Sequence, residues 1–388
     1  MIDRPIFFQD TEPSAPKRRR TPNRWLARLM ILVFATVLAL GVAELATRLI
    51  WGRSVVLFPR FHTEATYGPY QLRRLEPSTT FSHTSADGTW KFTTNAQGFR
   101  DTEDYAYEKP DGVRRVLCLG DSQTQGFEAR QDRIFPAVIE RRLQRMGYQV
   151  EVLNTGISGF GTSEELAFFE NEGIRYKPDV VVLAWYINDF NDNEKTGLFK
   201  LREGILMEEK YEHAPGIAPL RLVNSIPGLE WASQHSYFYS LLFNRAWEAR
   251  KHILSQQQNA SMQEDLTTRV PHQGADISAY QLDLSAALVQ RLYEICQKHG
   301  IKLVIVDIPW LPHDNTGFGS SLPEALATKF EESSDELLQA REVLGRYSGI
   351  TDIFVPHGQH HISETSHLLI GMAAAEKIAE WWTEKSPQ

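Results

Sequence analysis

The stretch RVLCLGDSQTQG, residues 115–126, carries an apolar run from Val116 to Leu119 into Gly120, an acid, a hydroxyl residue and small polar residues. A buried strand that ends in a glycine turn lifts the next side chains toward solvent, and Ser122 is the one able to act. A serine hydroxyl attacks an acyl group when a base takes its proton and hydrogen-bond donors meet the developing oxyanion. Three later segments offer those parts. NTGISGFGTS, from Asn154, holds Gly156, Gly159 and Gly161, whose backbone N–H groups no side chain obstructs, and Gly159 is the best placed. YINDF offers the amide of Asn188. PHGQHHISETSH offers His357, His360 and His361 as bases. With the N–H of Ser122 itself, this is a set for acyl transfer. The three histidines have no neighbouring carboxylate or cysteine to complete a zinc site, so neither a metal nor a cofactor is expected.

Those segments need elements to hold them. From Val113 the pattern alternates between short apolar strands and helices. Val116–Leu119 and Val150–Leu153 read as strands, as does PDVVVLAWYIND, a continuous run of the kind buried on both faces. KLVIVDIP and Ile350–Val355 read as the fourth and fifth. Helices are expected near Phe135–Met146, Ser163–Tyr176, Leu282–His299, Pro323–Arg346 and Glu364–Trp382. This predicts an α/β fold, a doubly wound five-stranded parallel sheet, with the reactive groups beyond the carboxyl ends of its strands. An insertion of about 191–279 follows the third strand. Within it LFKLREGILM reads as a hairpin turning at Glu203-Gly204, SYFYSLLFNRAWEARKHIL as an amphipathic helix, and SQQQNASMQEDLTT as a polar loop. Ahead of the domain, TTFSHTSADGTWKFTTN reads as a hairpin turning at Asp87-Gly88. No internal repeat is present.

The chain of 388 residues carries a formal charge of −8, which argues against a nucleic-acid partner. Its two cysteines, Cys118 and Cys296, fall in strand and helix patterns and read as buried thiols. Lys17, Arg18, Arg19, Arg20, Arg24 and Arg28 precede an apolar run ending at Trp51. From Leu29 that run spans roughly 34 Å as a helix, enough for a bilayer core. The basic cluster places the N-terminus in the cytoplasm and the body outside. The alternative is a signal peptide cleaved near Ala43; either way the body is exported. The expected organisation is a basic tail (1–24), a transmembrane signal-anchor helix (25–51), a linker and hairpin (52–112) and the α/β domain (113–388).

GDSQTQG, NTGISGFGT, YINDF and HHISETSHLLIG together resemble the four blocks of the SGNH (GDSL) hydrolases. The resemblance covers about 98–382 apart from the insertion, and NAQGFRD with the basic anchor resembles the membrane-attached bacterial branch. It implies a flavodoxin-like sheet and hydrolysis of esters, acyl groups on carbohydrates or lipids among them, through an acyl-enzyme. It implies Ser122 as nucleophile, Ser122, Gly159 and Asn188 as the oxyanion hole, and His361 as base, because His367 follows it at the family spacing.

The resemblance breaks at one place. Family members usually carry an Asp two or three residues before the catalytic His, and this chain has Gln359 and Gly358 there. An acid there holds the imidazole tautomer and stabilises the imidazolium. Gln359, Asp352 and Asp307 are the candidates to orient His361, with Glu364 also close in sequence. The expected function is a membrane-anchored extracytoplasmic serine esterase that hydrolyses acyl esters, O-acetyl for example, of envelope glycans or similar substrates through an acyl-enzyme on Ser122. The alternatives are an O-acyltransferase with the same site and a degenerate, non-catalytic glycan-binding or assembly protein.

Overall fold

The computed structural model describes residues 24–261, 269–272, 275–312, 317–358 and 360–384. The chain forms two units, Met1–Ile50 and Trp51–Gln388. Helix α1 runs from Arg24 to Trp51, 28 residues with most of its apolar side chains exposed. It is long and apolar enough to cross a membrane. Its one acidic residue, Glu44, is paired a turn later with Arg48 (2.6 Å).

The second unit opens with two hairpins where the sequence predicts one. Strands β1 (His62–Tyr67) and β2 (Tyr70–Leu75) turn at Gly68-Pro69. Glu64, Arg73 and Arg74 interrupt the apolar alternation that would mark this pair. Strands β3 (Thr80–Ser85) and β4 (Gly88–Thr93) form the expected hairpin, closing on Phe81 and Phe92, which stack at 5.1 Å.

The α/β body then follows in chain order. Strand β5 (Arg114–Leu119) leads to the four-residue helix α2 (Ser122–Gln125), then α3 (Phe135–Arg145) and β6 (Val150–Asn154). Helix α4 (Thr162–Asn171) precedes β7 (Val180–Trp185), all six residues of which are buried. After α5 (Asp189–Thr196) come β8 (Phe199–Arg202) and β9 (Ile205–Glu208), the expected hairpin, with Glu203 and Gly204 both at positive φ. Strand β10 (Glu212–His213) leaves the insertion and pairs in parallel with β2. The insertion continues through α6 (Ile217–Asn224), α7 (Leu229–His235), α8 (Tyr237–Ser261), β11 (Arg269–His272) and β12 (Ala275–Ser278). Helix α8 thus takes up the first part of the segment expected as a loop, and 262–268 lie outside the described residues.

Helix α9 (Ala279–Lys298) starts on a capping box of Ser278 and Gln281 and precedes β13 (Lys302–Asp307). The expected helix over Pro323–Arg346 is instead α10 (Glu324–Glu332), strand β14 (Glu336–Leu338) and α11 (Ala340–Leu344). Ser334 Oγ ends α10 by donating to Phe330 O at 2.7 Å. The Asp335 carboxylate then takes the Leu303 N–H at 2.9 Å, which stitches β14 onto β13. Ile350–Val355 is therefore not the fifth strand; it contributes one bridge, Phe354 to Ile362. Helix α12 (Glu364–Glu384) ends the described chain.

The sheet order is β14-β13-β7-β5-β6, with every pair parallel. Numbering only these strands gives 5-4-3-1-2, the flavodoxin-like order. Helix α3 packs on α12, while α9 packs on α4, α5 and α10. Cys118 and Cys296 are free and buried. The connections reverse direction between β5 and β7, and at such a switch point loops diverge and leave a crevice.

Candidate active site

The crevice is built from β5 outward. Gly120 has φ +148, and a side chain there would run into Thr124. Asp121 Oδ1 accepts the Gln123 N–H at 2.8 Å and so caps α2. Gly126 ends it in the left-handed conformation. Ser122, the first residue of this short helix, is half-exposed between buried neighbours. Its N–H lies at a helix start, where no intrahelical acceptor exists.

Ser122 Oγ and His361 Nε2 stand 3.0 Å apart. The loop carrying His361 is held from the nucleophile's own helix. Gln123 donates to His360 O at 3.2 Å and accepts the Ile362 N–H at 3.1 Å, gripping the backbone on both sides of His361. The imidazole stacks on Phe127, centroids 4.9 Å apart. His367 does separate work: its Nδ1 accepts the otherwise orphaned Phe135 N–H at the start of α3 (3.2 Å). Burial pushes the His367 ring down to about 3, consistent with a neutral acceptor. His357 is bound to Asp87 at 2.7 Å, and His360 stacks on Trp310.

None of the expected orienters that the structure describes stands beside the ring. Asp307 is buried and accepts the N–H groups of Ser321 (2.9 Å) and Ala340 (3.1 Å), closing the loops after β13 and β14. Asp352 is exposed, with its backbone carbonyl taken by Ser363 Oγ. Glu364 pairs with Arg130. Gln359 lies outside the described residues.

The group facing His361 Nδ1 is Glu128, its Oε2 at 3.6 Å. Its other oxygen faces Nε2 of His83 from β3 at 3.4 Å. These are ion-pair distances rather than hydrogen bonds. Burial alone would raise the Glu128 carboxyl, but the two imidazoles outweigh it and hold it at about 2. His83 is pushed down by burial, against the pull of Glu128. Glu128 sits at φ +57, unusual for a side chain of its size, and this turns its carboxylate inward behind α2. Sequence reasoning missed it. The only signal was indirect: a base loop with no acid of its own.

The glycine loop leaves β6 and lies against α2. The Ile157 N–H donates to Gly120 O at 3.0 Å, and the Ser158 N–H to Gln125 Oε1 at 2.7 Å. Gly159 follows at φ +78. Asn188 is brought beside the nucleophile turn, but its Nδ2 donates to Asp121 Oδ2 (3.0 Å) and Asp192 Oδ2 (3.1 Å). Both amide hydrogens are thus committed within the fold, and an oxyanion would have to displace a carboxylate to claim one. Among the described residues no group of three or more histidine, cysteine or acidic side chains could hold a metal ion.

The profile of the GDSL-like Lipase/Acylhydrolase family matches residues 118–324, more than half of the chain. The chain belongs to the GDSL-like lipase/acylhydrolase family. It is accordingly a serine ester hydrolase. Among solved structures similar to this GDSL chain is the lipase/acylhydrolase from Enterococcus faecalis, at 15% identity and TM-score 0.36, covering 69% of this chain and 96% of that one. The esterase EstA from Pseudoalteromonas sp. is similar at 12% identity and TM-score 0.34, covering 70% and 99%. Axe2, an acetylxylan esterase from Geobacillus stearothermophilus, is similar at 14% identity and TM-score 0.37, covering 68% and 94%. No curated protein matches the chain.

Proposed function

We propose that this GDSL hydrolase is a membrane-anchored, extracytoplasmic serine esterase that removes acyl groups, O-acetyl among them, from envelope glycans. The observation that carries the reading is the 3.0 Å approach of Ser122 Oγ to His361 Nε2, with Glu128 behind the ring. In the proposed reaction His361 takes the Ser122 proton as Oγ attacks the ester carbonyl. The imidazolium that forms faces the Glu128 carboxylate, which stabilises its charge and favours the tautomer with the proton on Nδ1. The N–H groups of Ser122 and Gly159 meet the oxyanion. The tetrahedral intermediate collapses to the acyl-enzyme as the alcohol leaves with the proton from His361. Water, deprotonated by His361, then attacks the acyl-enzyme and releases the carboxylic acid and free Ser122.

The basic residues ahead of α1 support the proposed topology, with that end in the cytoplasm and the second unit outside. The degenerate, non-catalytic alternative is motivated by the missing acid, and the Glu128 carboxylate 3.6 Å from His361 Nδ1 weighs against it. A resolving sugar hydroxyl in place of water would give the O-acyltransferase variant from the same acyl-enzyme.

The test is covalent labelling with a fluorophosphonate, alongside turnover of acetylated oligosaccharides and p-nitrophenyl esters. Wild type should label and turn over, and Ser122→Ala should do neither. A wild type that fails to label would rule out the activated serine.

A further inference from the structure

The Ser158–Gly159 peptide lies at the centre of a four-residue turn from Ile157 to Phe160. The turn is closed by the Phe160 N–H on Ile157 O at 3.0 Å. With Gly159 at φ +78 in the third position, it is a type II turn. Type I and type II turns keep the same closing bond and differ chiefly in which way the central peptide faces. Glycine accepts either arrangement at that position. The turn by itself therefore leaves open where the Gly159 N–H points.

Side chains from outside the turn decide it. Gln125 Oε1 holds the Ser158 N–H at 2.7 Å, on one side of the residue. On the other, Arg73 Nη2 donates to Ser158 O in a short hydrogen bond. In a planar trans peptide the C=O and the following N–H point in opposite directions. Holding Ser158 O toward Arg73 consequently aims the Gly159 N–H away from it. The guanidinium lies hard against the turn, since a Cβ on Gly159 would stand 2.7 Å from Nη2. Arg73 sits on β2, in the small sheet that β10 of the insertion completes. The carboxyls of Glu164 and Asp192 flank its charge.

We propose that Arg73 is a positioning residue of the oxyanion loop, locking the Ser158–Gly159 peptide so that the Gly159 N–H faces the reacting carbonyl. The proposal rests on the reading of Gly159 as an oxyanion donor. A cation on Ser158 O also polarises that amide and strengthens its N–H as a donor. With both hydrogens of Asn188 committed to carboxylates, the orientation of this one peptide carries much of the oxyanion's stabilisation. The lock further gives the small N-terminal sheet and the insertion a joint role, because together they deliver Arg73.

The test compares full-length wild type, Arg73→Met and Arg73→Lys for p-nitrophenyl acetate turnover, fluorophosphonate labelling and thermal unfolding. Arg73→Met should lower kcat by about 10- to 100-fold, approaching the loss of one oxyanion donor, with KM and the unfolding midpoint near wild type. Arg73→Lys should recover part of the loss, as should millimolar guanidinium added to Arg73→Met. Wild-type kcat in Arg73→Met, beside a wild type that labels and turns over, would overturn the lock alone. So would a loss that follows the unfolding midpoint and yields neither to lysine nor to guanidinium. A wild type that neither labels nor turns over would overturn the esterase reading and the lock with it.

Discussion

Gly358 and Glu128 occupy one volume: a Cβ on Gly358 would collide with Oε2 of Glu128. Gly358 is three residues before His361, one of the two positions where the family resemblance leads to the expectation of an acid. The carboxylate here comes from behind the nucleophile, and the base loop carries the residue that leaves it room.

Glu128→Gln should lower kcat by about 10²- to 10⁴-fold, the range for a triad acid, with KM little changed in steady-state assays. Asp352→Asn should be near wild type. A silent Glu128→Gln would remove this carboxylate from the mechanism.

Gly358→Ala should also be harmful, although it alters no polar group. The added methyl must push Glu128 away from His361 or strain against Val355, which lies 2.7 Å from the same Cβ. A displacement of that kind costs on the order of 10- to 100-fold in kcat. A crystal structure of the variant with Glu128 undisturbed and activity intact would contradict this.

Glu128 also sets a pH dependence of stability. Its folded-state pKa of about 2 lies below the ordinary carboxylate value. Its contribution is therefore full above the unfolded-state value and is lost as pH falls through the folded one. Denaturant titrations should show wild type more stable than Glu128→Gln near neutrality, with the gap closing between about pH 4.5 and 2. A gap independent of pH would mean that the carboxylate's charge is not what the imidazoles hold.

Gln123 grips the backbone on both sides of His361 with one amide. Gln123→Leu should remove both bonds and strip the buried Ile362 N–H of its Gln123 acceptor, at about 1–3 kcal/mol for such a group. Amide exchange at Ile362 should accelerate and kcat should fall. Unchanged exchange at Ile362 would show that the loop is held by other contacts.

The anchor is tested by fractionation. Full-length protein should stay with membranes through carbonate and high salt, and an external protease should reach the second unit but not the N-terminal tail. Release by carbonate, or a mature chain starting near Ala43, would replace the anchor with a cleaved signal.

Much of this protein is legible in its sequence because the relevant physics is local. An apolar run stopped by Gly120 marks the turn at Ser122, the continuous run Val180–Trp185 marks a strand covered on both faces, and the N-terminal apolar run marks a helix with no soluble core around it. The hairpins at Asp87-Gly88 and Glu203-Gly204 are written in their turn residues. What the sequence could not decide depends on groups far apart along the chain meeting in space. Glu128 looks like any surface acid until the hairpin supplies His83 and the last loop supplies His361. Asp307 looked available until Ser321 and Ala340 closed on it. The fifth strand fell to Glu336–Leu338, three residues too few for a periodic signal, because Asp335 could reach the backbone of β13. Arg73 joined the oxyanion loop only when two separate segments built the sheet that carries it. Side-chain type and spacing determined the kind of chemistry; the packing of distant segments decided which carboxylate faces His361 and which way the Ser158–Gly159 peptide is held.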